Sequence, residues 1–120
     1  MKSFNETVKL HFKAIDERDL DAYAQFLHPS LNCIVILADG SVVEGYDNII
    51  NIHREWFKDL SWRMDIKTVD IFTVDDIVGY ALLDVIYSSP DFNRHRYLSL
   101  MFQKFEGKWI LVRDQNTPIL

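Results

Sequence analysis

The chain has 120 residues, 48% of them hydrophobic, with 18 acidic and 13 basic side chains and a net charge of -5. That length makes one domain, residues 1–120, with a real core. The charge and the lack of any Lys/Arg run argue against nucleic acid, Arg94-His95-Arg96 being the densest cationic spot. Cys33 is the only cysteine, so no internal disulfide is expected. No apolar run reaches membrane-spanning length, and the polar start MKSFNETVKLHFK lacks a signal-peptide core. No membrane partner is therefore expected, and the expected location is the cytoplasm.

A first helix is expected from about Phe4 to Glu17. Ser3 and Glu6 form a capping-box pattern, and Phe4, Val8, Phe12 and Ile15 form the apolar stripe. A short second helix follows Asp19, a good N-cap, and turns Leu20, Tyr23, Ala24 and Leu27 inward. His28-Pro29 ends it, because a residue before proline avoids the helical region. Leu31 to Leu37 reads as a buried strand. Ala38-Asp39-Gly40-Ser41 reads as a hairpin turn, and Val42 to Glu44 returns.

Gly45 precedes a third helix, about Asp47 to Leu60. Its inward set is Ile49, Ile52, His53, Trp56, Phe57 and Leu60. Strands follow at Trp62–Val74, Ile77–Ser88, Arg94–Phe105 and Trp109–Asn116. They are joined at Asp75-Asp76, at Ser89 to Asn93, and at Glu106-Gly107-Lys108, where Gly107 is free to take positive φ. Trp62, Met64 and Ile66 share one strand parity, while Val69 and Ile71 have the other. Period-two geometry then requires a bulge or sharp bend near Lys67-Thr68.

The order helix, helix, hairpin, helix, four strands comes with particular segments: Arg18-Asp19-Leu20-Asp21, a glycine before the third helix, and Gly107-Lys108-Trp109-Ile110-Leu111-Val112. Over nearly the whole chain this resembles the nuclear transport factor two-like superfamily, which includes ketosteroid isomerase and SnoaL-like polyketide cyclases. The resemblance implies an α+β, cystatin-like cone. A strongly curved, mixed but mostly antiparallel sheet would wrap around three N-terminal helices, with a pocket at its open end. It also implies a homodimer through the outer face of the sheet.

Carried over residue by residue, the isomerase's phenolic donor falls at His11. Its general base falls near Val35 and its neutral aspartic acid near Met101. Two of three chemical groups are thus apolar here, which argues against ketosteroid isomerase activity. The paired histidines of scytalone dehydratase have no counterparts.

His11 lies on the first helix's inward stripe, either as a pocket histidine able to move a proton or as a buried ring satisfied by backbone or tyrosine. His53 reads as helix-to-sheet packing. No metal is expected, because the four histidines lack ligand spacing, and no cofactor motif is present. Arg113 and Gln115 share one face of the last strand, Asp114 and Asn116 the other. Arg113 is suited to clamp a carboxylate, to form an intramolecular salt bridge or to make a dimer-interface contact.

Asp84 has the parity opposite to Ala81, Leu83 and Val85, so it should face outward. The expectation is a pocket for a small, largely apolar ligand, met by His11, Arg113 and Gln115 with Trp56 and Met101 as walls. The alternatives are an acid–base enzyme using His11 and a non-catalytic oligomerisation domain.

Overall fold

The computed structural model describes residues 2–120. The first helix, α1 (Phe4–Asp16), starts where Ser3 turns its hydroxyl onto the Glu6 N–H at 3.2 Å. The second, α2 (Leu20–Ala24), starts where the Asp19 carboxylate accepts from Ala22 N at 3.1 Å. Both caps satisfy N–H groups that a helix start leaves without partners. Between them Arg18 fixes the corner: it donates to Asp59 O and Trp62 O and lies 4.0 Å over the Trp62 ring.

The hairpin β1 (Ile34–Ile36) and β2 (Val42–Glu44) leads into α3 (Tyr46–Trp56). This helix ends four residues before the expected Leu60. Asp59 caps a turn by accepting from Ser61, and Leu60 is 69% exposed instead of facing inward.

Four long strands complete the chain: β3 (Arg63–Val74), β4 (Val78–Ser89), β5 (Phe92–Phe105) and β6 (Lys108–Pro118). The sheet order is β2-β1-β6-β5-β4-β3. Every neighbouring pair is antiparallel except β1 with β6, which is parallel. The fold is therefore α+β with three helices and a mixed, mostly antiparallel sheet, as the sequence leads one to expect. Asp75 and Asp76 both take positive φ in the tight β3–β4 turn, as do Glu106 and Gly107 in the β5–β6 turn. Aspartate tolerates that region better than most residues.

Two bulges set which side chains face the helices. In β3, Thr68 opposes Leu83 and Asp70 opposes Leu82, so Val69 is the extra residue and is 52% exposed. That keeps Ile66 and Ile71 both against the core and lies one residue beyond the Lys67-Thr68 step read from parity. In β6, Met101 opposes Arg113 while Phe102 opposes Leu111, so Val112 is extra. An extra residue reverses alternation beyond it and bends the strand.

The concave side of the sheet holds α1 and α3. Phe4 at the start of α1 packs on Phe102 and Trp109, with ring centroids 5.5 and 5.1 Å away. It lies directly over Gly79, where an added methyl would run into the Phe4 ring. No helix among the described residues is long and apolar enough to cross a membrane.

Candidate functional site

A cavity of about 410 Å³ opens between the helices and the sheet, within the range usual for small-molecule sites. The C-terminal turns of α1 and α3 form one wall through Ile15, Ile52 and Trp56, and the sheet adds Val35, Val85 and Leu98. Tyr87, Arg94, Arg96, Asp114 and Asn116 supply a polar flank from β4, β5 and β6. Arg94 and Arg96 share the parity of Leu98 and Leu100, the core-facing residues of β5, so the pleat turns both toward the helices.

The polar flank is tied together. Trp56 Nε1 donates to Tyr87 Oη at 3.0 Å. Arg96 Nη1 donates to Asn116 Oδ1 at 3.2 Å, and its guanidinium lies 5.0 Å over the Tyr87 ring. Asn116 Nδ2 donates to Ile36 O at 2.9 Å, which fixes the amide's orientation. His53 Nδ1 lies 2.8 Å from Ile49 O, so that nitrogen carries the proton and Nε2 is the ring's acceptor. Burial holds the His53 ring neutral, lowering its pKa to about 4 against a weaker opposite pull from the Ile49 bond.

Asp114 is the chemically distinctive group. Its side chain is buried, only 8% exposed, and Oδ1 has no hydrogen-bond partner. Burial penalises the carboxylate and pushes its pKa up to about 7, although nearby Arg96 pulls the other way. The buried Tyr23 hydroxyl is also unpartnered, and its ring stacks on His53 with centroids 4.0 Å apart. Its pKa is raised well above the usual value by burial, then by Asp114 and Cys33.

The structure redistributes the residues expected from sequence. Trp56 is in the cavity wall, as is Val35. His11 is not at the cavity. It is 0% exposed and encased by Phe12, Tyr23, Phe26 and Phe102 at 5.2–5.7 Å between centroids. Burial, and secondarily His53, lower its pKa to about 3. Neither ring nitrogen has a partner, so the backbone or tyrosine bond expected for a buried His11 is absent as well.

Met101, Arg113 and Gln115 lie on the opposite face of the sheet. Met101 pairs with Tyr80 and Arg113, and Ser99 pairs with Gln115. Arg113 spends an N–H on Val112 O at 2.6 Å. The Val112 bulge is the cause, because it places Asp114 and Asn116 in phase with Trp109 and Leu111. Asp84 faces outward as expected, with His95 Nε2 2.5 Å from its carboxylate. Among the described residues no three His, Cys, Asp or Glu side chains converge as metal ligands.

The SnoaL-like domain family matches residues 5–116. No curated protein matches the chain. Among solved structures, a candidate calcium/calmodulin-dependent protein kinase type II association domain from Thiobacillus denitrificans superposes with a TM-score of 0.84 at 13% identity, covering 100% of this chain and 98% of that one. An uncharacterised protein with a cystatin-like fold from Caulobacter vibrioides gives 0.79 at 21%, covering 97% and 87%. A candidate dehydratase of the NTF2-like family from Streptomyces avermitilis gives 0.82 at 10%, covering 97% and 93%. At these identities the structural likeness speaks for the fold alone. With the family match over almost its whole length, the chain belongs to the SnoaL-like family, built on the nuclear transport factor two-like fold.

Proposed function

We propose that the cone binds a small, largely apolar molecule whose polar end meets the flank formed by Arg94, Arg96, Asp114 and Asn116. The observation that carries this reading is the cavity of about 410 Å³, apolar toward the helices and polar along β5 and β6. Small-molecule sites have this composition: mostly apolar walls and a few placed polar groups that fix orientation. The test is a ¹H–¹⁵N titration with small aryl-alkyl alcohols and ketones. Shifts should concentrate on the Trp56 indole, Val85 and Leu98. Shifts confined to the outer face of the sheet, or none at millimolar ligand, would refute the reading.

One observation favours a second reading, acid–base catalysis, with Asp114 in place of His11. A buried carboxyl facing the cavity with its pKa pushed up to about 7 is matched to proton transfer near neutral pH. Asp114 would take a proton from a carbon beside a carbonyl, and Arg96 would face the charge that develops on the oxygen. Deuterium uptake at the α-carbons of 4-phenyl-2-butanone in D2O reads this step. The protein should accelerate it and Asp114→Asn should abolish the acceleration. Equal uptake with both proteins would end this reading.

The expected homodimer gains support from apolar side chains left exposed on and beside the outer face, among them Phe72, Val74, Ile77 and Tyr80. Phe72 and Tyr80 stack across neighbouring strands at 5.2 Å. Light scattering at micromolar concentration should give twice the mass of 14.2 kDa, and Tyr80→Lys should return the monomer.

A further inference from the structure

The two arginines of the cavity have donors to spare. A guanidinium carries five N–H groups. Arg18 and Arg63 spend several of theirs on the protein: Arg18 bonds Asp59 O, Asp16 O and Trp62 O, and Arg63 bonds Leu60 O and Trp62 O, while Arg54 and Arg113 each make one bond. Arg96, half-buried, makes one such bond, to Asn116, and Arg94 makes none. Elsewhere on the chain Lys58, His95 and Lys104 each reach a carboxylate, yet among the described residues no carboxylate is within salt-bridge reach of Arg94 or Arg96. Arg96 is half-buried, with one hydrogen bond and the Tyr87 ring in place of a counter-charge, and Arg94 is exposed on the same flank over the Phe92 ring, so the pair favours an incoming anion.

Two carboxyls also face the cavity and bear on that anion. Asp39 already accepts the Ser41 N–H at 2.9 Å within its own turn. Asp114 lacks a partner on Oδ1, and with its pKa pushed up to about 7 it is only partly charged near neutral pH. The C-terminal turns of α1 and α3 also face the cavity, through Ile15, Ile52 and Trp56. Their dipoles present partial negative charge there. These groups oppose a dianion such as a phosphate monoester more strongly than a monoanion held across two guanidiniums.

We infer that the cavity takes a small carboxylic acid of about a dozen non-hydrogen atoms, with its apolar body between Trp56 and Leu98 and its carboxylate across Arg94 and Arg96. The size follows from the cavity volume of about 410 Å³ set against the ~30 Å³ that one water fills in the liquid. This inference rests on the ligand-binding reading above and adds the charge of the ligand. Two planar forks at alternate residues of one strand suit a flat carboxylate, which accepts paired N–H bonds.

The test is calorimetric titration with 4-phenylbutyrate and its uncharged counterpart 4-phenyl-1-butanol at pH 7, with inorganic phosphate as competitor. The acid should bind tighter than the alcohol by on the order of tenfold or more, as bonds to charged groups imply. The ratio of the two affinities should fall toward one in Arg96→Gln and drop in Arg94→Gln, with Arg96→Lys between wild type and Arg96→Gln. Phosphate should not displace the acid. Equal binding of acid and alcohol would overturn the carboxylate assignment while leaving the cavity reading intact. An unchanged ratio in both Gln variants would do the same. Displacement by phosphate would show a general anion site instead, and failure of both compounds to bind would remove the cavity reading itself.

Discussion

Replacing Asp114 with Asn probes the buried carboxyl at the centre of the site. Folding moves this group from its usual 3.8 to about 7, chiefly by burial. Between those values the folded state holds a proton that the unfolded state releases. Its contribution to stability is therefore fully present below about pH 4 and is lost as pH rises through 7. The rise from 3.8 to about 7 corresponds to about 4 kcal/mol, at ~1.4 kcal/mol for each tenfold change in proton affinity.

His11 and His53 work in the opposite direction. Their folded values, about 3 and about 4, lie below the usual 6.5, so they withdraw stability as pH falls from about 6.5. Both histidines remain in the variant, so the difference between the two proteins isolates Asp114. Urea unfolding followed by tryptophan fluorescence at pH 4, 5.5, 7 and 8.5 gives that difference. The Asp114→Asn variant should gain on the wild type by up to about 4 kcal/mol between pH 4 and 8.5, roughly half of it by pH 5.5. Any constant offset reflects lost contacts, so only the slope matters. A flat difference across this range would refute the burial argument.

Three further outcomes follow from the packing. His11→Leu removes a buried ring with two unpartnered nitrogens, so it should stabilise the fold by about 1–3 kcal/mol at pH 7 and lower the acid-unfolding midpoint. A loss of stability instead would mean that the ring has a partner. Gly79→Ala drives a methyl into the Phe4 ring and should cost about 1–3 kcal/mol in thermal or urea unfolding, partly recovered by Phe4→Leu. An unchanged Tm would show that Phe4 can move aside. The Cys33 thiol is buried and, mainly for that reason, pushed up to about 12, so a disulfide reagent should label it only as fast as the protein opens. Labelling within seconds in the folded protein would contradict this.

Element order and the first bulge were legible because they depend on local patterns. Ser3 and Asp19 mark helix starts. The change of parity between Ile66 and Ile71 announces an extra residue, and Val69 supplies it. The second bulge was hidden by composition. Trp109, Ile110, Leu111 and Val112 are all apolar and all buried, so alternation carries no sign there. Without that sign the last strand reads equally well with Arg113 or Asp114 inward, and the bulge at Val112 decides for Asp114.

Arg94 and Arg96 were within reach of sequence reasoning, since they share the parity of Leu98 and Leu100. With His95 they stand out only as the densest cationic spot, a feature that bears on nucleic acid and not on a cavity. His11 shows the limit of helical spacing. The stripe gives its direction, inward, but not its depth. Depth depends on Phe26 and Phe102, which come from distant parts of the chain.

The central claim is an open cavity that holds a small ligand between Trp56 and Leu98. A crystal structure of the protein grown with 4-phenylbutyrate tests it most directly. The account predicts the phenyl ring against Trp56 and Leu98, the carboxylate within hydrogen-bond distance of Arg96, and Asp114 facing the same space. A cavity closed by its own side chains, with the compound absent or seated on the outer face of the sheet, would contradict it.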